Sequence, residues 1–208
     1  MDGITEKIRQ DILCGHLEPG DRLLEISLSE NYSCGRAAVR SALVTLVSEG
    51  LVERQANRGA TVRRVSLNEA IHITEARAAL ECLMVRQAAD NVTNDDRDDL
   101  NRIVVEMSEA VSSNDNAGYS LLNRELHRRI RQMSQNQIAA ELVDNLRNRA
   151  AHQQYRLAAM PGRLEVSLEQ HVAIVEAISR ADADAADTAM RTHLDSVISV
   201  LRSWGDAV

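Results

Sequence analysis

The sequence predicts a mainly α-helical chain in two parts: an N-terminal winged helix-turn-helix over residues 1–65 and a C-terminal antiparallel all-α bundle over residues 66–208. Three observations predict it. Aromatic residues are 2% of the 208 and Phe is absent, so the core must be built from Leu, Ile, Val, Ala and Met, which suits packed helices. Two prolines and nine glycines leave room for long uninterrupted helices. Near the N-terminus one helical pattern stops at a glycine and passes at once into two short, partly alternating runs, a helix followed by a hairpin.

The elements follow in order. Ile4, Ile8, Ile12 and Leu13 recur at helical spacing and give a first helix ending at Cys14-Gly15. Pro19-Gly20-Asp21 is turn chemistry. Ile26–Tyr32 is a short second helix, and Ser33-Cys34-Gly35 is the turn after it. In Gly35–Gly50, Val39, Leu43, Leu46 and Val47 would face a core, while Arg36 and Arg40 project together from one face. Gly50 is the stop. Leu51–Gln55 and Ala60–Arg64 are the hairpin strands, with Arg58-Gly59 at the tip.

Ser66 with Glu69 three residues on is a capping box that starts a helix running to about Asn91. Thr93 with Asp96 starts the next, to about Ser112. SSNDNAG is a loop, Tyr119–Ser134 a third helix and Asn136–Leu157 a fourth. Met160-Pro161-Gly162 breaks the chain before the last two, Leu164–Ala181 and Asp184–Trp204. The second part thus has six helices and no strand.

The net charge of −7 argues against nucleic acid only if taken whole. Residues 1–65 hold nine Lys/Arg and nine Asp/Glu, so residues 66–208 carry the full deficit. Within Arg36–Arg64 six arginines face two acids, the local excess that phosphate contacts need. Cys14, Cys34 and Cys82 have no paired spacing, and no apolar run approaches eighteen residues. The expectation is a cytoplasmic protein with no membrane partner.

Two sets of residues could carry chemistry. Arg36 and Arg40 are placed to read base edges in a major groove, and Arg58 beside the permissive Gly59 to enter a minor groove. Arg22, Arg63 and Arg64 are further phosphate candidates. Solvated surface charge is the plain alternative for any of them. His127, His171 and His193 lie on three different bundle helices, with Asn123 one turn before His127 on the same face. Converging imidazoles suit Zn, Ni or another borderline divalent ion, whereas a histidine taken singly is more often structural.

The ordered motifs ILCGHLEPGDRLLE, GRAAVRSALVTLVSEGLVERQANRGATV, EARAALE, NRELHRRI and EQHVAIVEAISRADADAADTAMRTHL resemble a GntR-family transcription regulator of the FadR/FCD type, over nearly the whole chain. The resemblance implies a DNA-binding domain followed by an effector-binding and dimerisation domain. It implies metal ligands at Asn123, His127, His171 and His193, and an effector-domain arginine at Arg77. Arg77 is either a clamp on a carboxylate or the partner of Glu81 one turn on. Two departures stand out, Gly35 and Ala37, which replace residues bearing hydroxyls at the recognition helix; at the first ligand position the family has Asp or Asn, and Asn123 offers a neutral amide oxygen in place of a carboxylate.

The functional expectation is a homodimeric repressor, released from a near-palindromic operator in double-stranded DNA by a small carboxylate. A metal-dependent enzyme on the bundle and a bundle that only dimerises are the alternatives. No general base is placed beside the histidines by motif, and an enzyme has no use for a fused winged helix.

Overall fold

A computed structural model describes residues 2–55, 59–150, 156–157 and 160–205. The chain divides into two compact units: Met1–Ser66 with Asn145–Tyr155, and Leu67–Asp144 with Arg156–Val208.

In the first unit α1 (Asp2–Leu13), α2 (Glu25–Asn31) and α3 (Arg36–Ser48) accompany a three-stranded antiparallel sheet of β1 (Arg22–Leu23), β2 (Val52–Gln55) and β3 (Gly59–Val62), in the order β1-β3-β2. Strand β1 has no signature in the sequence. Two residues are too few for an alternating pattern, and the pairing of Arg22 with Thr61 and Leu23 with Ala60 is set by the turn before them. Gly20 N donates to Val62 O at 2.8 Å and Val62 N to Asp21 O at 3.0 Å, so the Pro-Gly-Asp turn is stitched onto β3. Gly20 has φ +96°, a left-handed conformation that favours glycine over residues with a Cβ. Ile8, Ile12, Leu23, Leu28, Val39, Leu43, Leu46, Val52 and Val62 form this unit's buried core. The recognition-helix face anticipated from the periodicity is the one that packs, although Val47 is only partly buried.

The second unit is built from α4 (Leu67–Asn91), α5 (Asn94–Ser112), α6 (Asn116–Met133), α7 (Gln137–Arg149), α8 (Arg163–Ser179) and α9 (Ala183–Gly205). The end of α7 is grouped with the first unit. Among the described residues no strand follows Val62. The Thr93–Asp96 capping box is formed in full. Helix α6 starts three residues earlier than expected because Asp115 caps it, accepting from Gly118 N at 2.9 Å. Helix α7 stops at Arg149 rather than Leu157, and residues 151–155 of the expected helix lie outside the described residues.

Leu100, Ile103, Met107 and Ala110 give α5 one buried stripe that meets Leu126, Ile130, Ile174, Ile178, Met190 and Leu194 from its neighbours. Arg86 pairs with Asp184 at 2.6 Å and Arg202 with Glu75 at 3.1 Å, so rising numbers on α4 meet falling numbers on α9 and the two run antiparallel. Buried alanines at 88, 89, 177 and 186 replace the missing aromatics and let helices approach closely.

Candidate nucleic-acid interface and metal centre

Helix α3 carries Arg36 at its first position and Arg40 one turn later, both exposed, with Ala37, Ser41 and Val44 between and beyond them on the outward side. Its N-cap is Gly35, which offers no side-chain hydrogen bond. Arg40 is held as a fork: Nε donates to Glu25 Oε1 at 3.0 Å and a terminal nitrogen to Oε2 at 2.8 Å. That bond is also what holds the Glu25 carboxyl below its usual range. The carboxylate presents two acceptors, as the edge of guanine does, so the fork that holds Glu25 has the donor pattern a guanine edge calls for. Gly59 has φ +83° and open space around it, so the chain turns there without steric cost. Arg58, the expected wing-tip contact, lies outside the described residues. Arg22 and Arg64 are exposed and Arg63 is half-buried.

The second constellation closes up. His127 of α6, His171 of α8 and His193 of α9 are buried, and one nitrogen from each lies within 4.8 Å of the other two. His171 and His193 have ring centroids 4.5 Å apart, and the Nε2 atoms of His127 and His171 stand 3.3 Å apart. Two imidazole nitrogens each ~2.1 Å from one shared ion, at an angle between square and tetrahedral, lie ~3.0–3.4 Å apart. The observed separation fits that arrangement.

The other ring nitrogens are already engaged. His127 Nδ1 meets Glu81 Oε2 at 2.9 Å, His193 Nδ1 meets Gln170 Oε1 at 3.0 Å, and His171 Nδ1 faces the Tyr119 hydroxyl at 3.1 Å and Ser167 Oγ at 3.4 Å. When each Nδ1–H donates outward to its oxygen, the three Nε2 lone pairs point into the shared space. Burial, followed by repulsion from His127, holds His193 well below its ordinary pKa, which keeps that ring neutral and able to donate its lone pair. Asn123 Oδ1 is buried without a hydrogen-bond partner, an orphan acceptor one turn before His127. These four side chains fit a divalent ion.

Arg77 meets the carboxylate expected for it one turn on. Its Nε and a terminal nitrogen both reach Glu81 Oε1 at 2.8 Å, and both residues are buried. Glu81 therefore links a guanidinium on one side to His127 on the other. Sequence reasoning overlooked Glu81 as a support, together with Tyr119, Ser167, Gln170 and Arg163. The signal was present as spacing: Tyr119, Asn123 and His127 recur every four residues on α6, as do Arg163, Ser167 and His171 on α8.

Residues 1–62 match the family described as bacterial regulatory proteins, gntR family, and residues 72–196 match the FCD domain. The chain belongs to the GntR family. This GntR regulator carries an FCD domain as its helical part, and its membership makes it a DNA-binding, ligand-responsive regulator rather than an enzyme. It is 30% identical to the HTH-type transcriptional repressor NanR of Enterobacter sp. (strain 638), covering 98% of this chain and 86% of that one. It is 26% identical to the HTH-type transcriptional repressor RspR of Escherichia coli (strain K12), covering 94% of this chain and 86% of that one. E. coli McbR/YncC has the same fold, with a TM-score of 0.86 and 23% identity over 98% of this chain and 99% of that chain. Among the described residues no helix is long and apolar enough to cross a membrane.

Proposed function

We propose that this GntR regulator is a repressor whose helical domain holds a divalent metal, zinc or nickel, and that a small carboxylate bound there releases it from its operator. The convergence of His127, His171 and His193 on one buried space, with the orphaned Asn123 oxygen beside them, carries the reading. The relatives NanR and RspR are transcriptional repressors, which supports repression here.

In this reading residues 1–65 bind DNA and residues 66–208 bind effector and dimerise. Arg36 and Arg40 read the major groove, Arg58 beside Gly59 enters the minor groove, and two copies meet a near-palindromic site, since one winged helix spans only a few base pairs. When bound, the ion supplies a positive Lewis-acidic centre for a carboxylate. Glu81 fixes the tautomer and orientation of His127, and Arg77 holds Glu81 in place, so Arg77 serves the effector site from behind. Gln170 and Tyr119 orient the other two rings. His127, His171 and His193 are neutral ligands, as is Asn123, so the site offsets little of the metal charge and favours an anionic guest. Four residues, 63–66, connect β3 to α4. A shift of α4 on effector binding is thereby transmitted toward the DNA-binding part, with a coupling of about 1–3 kcal/mol.

The test is fluorescence anisotropy of the full chain on DNA taken from upstream of its own gene, at fixed salt and with a panel of small organic acids. Binding by a dimer that at least one metal-chelating acid weakens about 5- to 150-fold supports the reading. Specific binding that no acid weakens contradicts release by a carboxylate. A monomer that binds one half-site tightly contradicts the dimeric arrangement.

A further inference from the structure

We propose that Arg163 is the residue that grips the carboxylate of the effector, using the guanidinium that the structure leaves without a counter-charge beside the histidine centre. The inference rests on the metal-site reading above and assigns its anion contact.

A guanidinium buried in a helical core calls for an anion, because desolvation otherwise disfavours it strongly. The other deeply set arginines of this unit have one. Arg77 meets Glu81 at 2.8 Å and Arg131 meets Asp144 at 2.7 Å. Arg163 is 9% exposed, and one of its terminal nitrogens donates to the neutral Ser196 Oγ at 2.8 Å. Among the described residues no carboxylate pairs with it. Burial pulls its pKa down. A buried cation kept in this state is costly to the empty fold, which is the signature of a group whose partner arrives with a ligand.

Its position ties it to the histidines. Arg163, Ser167 and His171 form one stripe on α8, and Ser167 Oγ lies 3.4 Å from His171 Nδ1. Ser196, which accepts from Arg163, follows His193 by three residues on α9. Tyr119, whose hydroxyl touches His171, begins the stripe on α6 that continues through Asn123 to His127. One polar seam therefore runs from a cation without counter-charge to a candidate metal centre. The ligand class that satisfies both ends is a small acid with two separated oxygen donors, a dicarboxylate or hydroxycarboxylate. A monocarboxylate such as acetate satisfies only one.

The test uses untagged full-length protein loaded with nickel, and calorimetry with acetate, oxalate, citrate and inorganic phosphate. Wild type is expected to bind oxalate or citrate at least about tenfold more tightly than acetate. Arg163→Gln loses about tenfold or more of that affinity, the loss of a charge-assisted pair, with nickel stoichiometry and affinity retained. Arg163→Lys recovers part of it. Without metal or acid, Arg163→Met melts ~2–4 °C higher than wild type, since it removes a buried charge.

Equal citrate and oxalate affinity in wild type and Arg163→Gln overturns the assignment while leaving the metal reading intact. Loss of nickel by Arg163→Gln, with Arg163→Lys losing it too, makes the residue structural and also overturns it. So does preference for phosphate over every carboxylate, or no carboxylate binding to the nickel-loaded wild type. If wild type takes up no nickel, it is the metal reading that fails. Arg163 is then judged by whether citrate raises the melting temperature of wild type but not of Arg163→Gln; no rise in wild type overturns it.

Discussion

Two arginine–glutamate pairs show how differently the two units of this protein are built. In the first unit Arg40 and Glu25 form a two-pronged pair at the surface, with the arginine side chain 62% exposed. In the second, Arg77 and Glu81 form theirs in the core, 6% and 3% exposed. Among the described residues 1–66, Thr61 is the sole buried polar side chain. In the helical unit the buried set includes Thr74, Arg77, Glu81, His127, Arg163, Ser167, His171 and His193. Residues 1–66 keep a nearly dry core and turn their chemistry outward, toward a partner that arrives with its own water and ions. The second accepts the desolvation of several charged and polar groups inside its core, which a chain built for stability alone would avoid. A surface pair can be traded for another partner at small cost, whereas a buried pair fixes the geometry around it.

The comparison can be broken most forcefully at the buried pair. Glu81→Ala leaves Arg77 in the core without its anion and is expected to destabilise the helical unit by about 3–5 kcal/mol, read by urea denaturation. The same substitution releases His127 Nδ1 and should lower metal affinity about 10- to 100-fold, read by competition with a chelator. If Glu81→Ala unfolds no more easily than wild type, Arg77 has found another partner and the core is less constrained than described.

The surface pair should respond in function and not in stability. Arg40→Ala is expected to weaken binding to the natural operator about tenfold to a hundredfold, the worth of a bidentate base contact, with an unchanged denaturation midpoint. Glu25→Gln removes the anion beside Arg40 and should tighten binding to unrelated DNA while narrowing the preference for the operator. An Arg40→Ala protein that loses stability but no DNA affinity would invert the comparison. Arg58→Ala should reduce affinity across sequences alike and lower the slope of log affinity against log salt by about one. Smallest of all, Gly35→Ser should stabilise α3 by a few tenths of a kcal/mol, since a Cβ at this N-cap meets open space and a hydroxyl can cap the first turn.

The same contrast explains what could be read from the sequence. The order of elements was legible because long helices with clear apolar stripes, such as α5 with Leu100, Ile103 and Met107, are set by local periodicity. Strand β1 was not, because two residues carry no period and Arg22 and Leu23 are extended only through pairing with Thr61 and Ala60. The start of α6 was missed because Asp115 was read as part of a loop, where it acts as a cap. In the helical unit the three histidines stood out by type. Their supports did not, since Glu81, Gln170 and Tyr119 acquire meaning only when α4, α8 and α6 meet. Arg163, just after Met160-Pro161-Gly162, looked like an ordinary first-turn residue, and its burial is a tertiary fact.

The central claim is that the buried histidine centre of the helical unit is a metal site. The most direct measurement is the metal content and chelator-competed nickel affinity of untagged wild type beside His127→Ala/His171→Ala and His193→Ala. One divalent ion per chain is expected in wild type, with loss of that ion in both variants while far-UV dichroism stays unchanged. Variants that retain the same ion with the same affinity as wild type would contradict it.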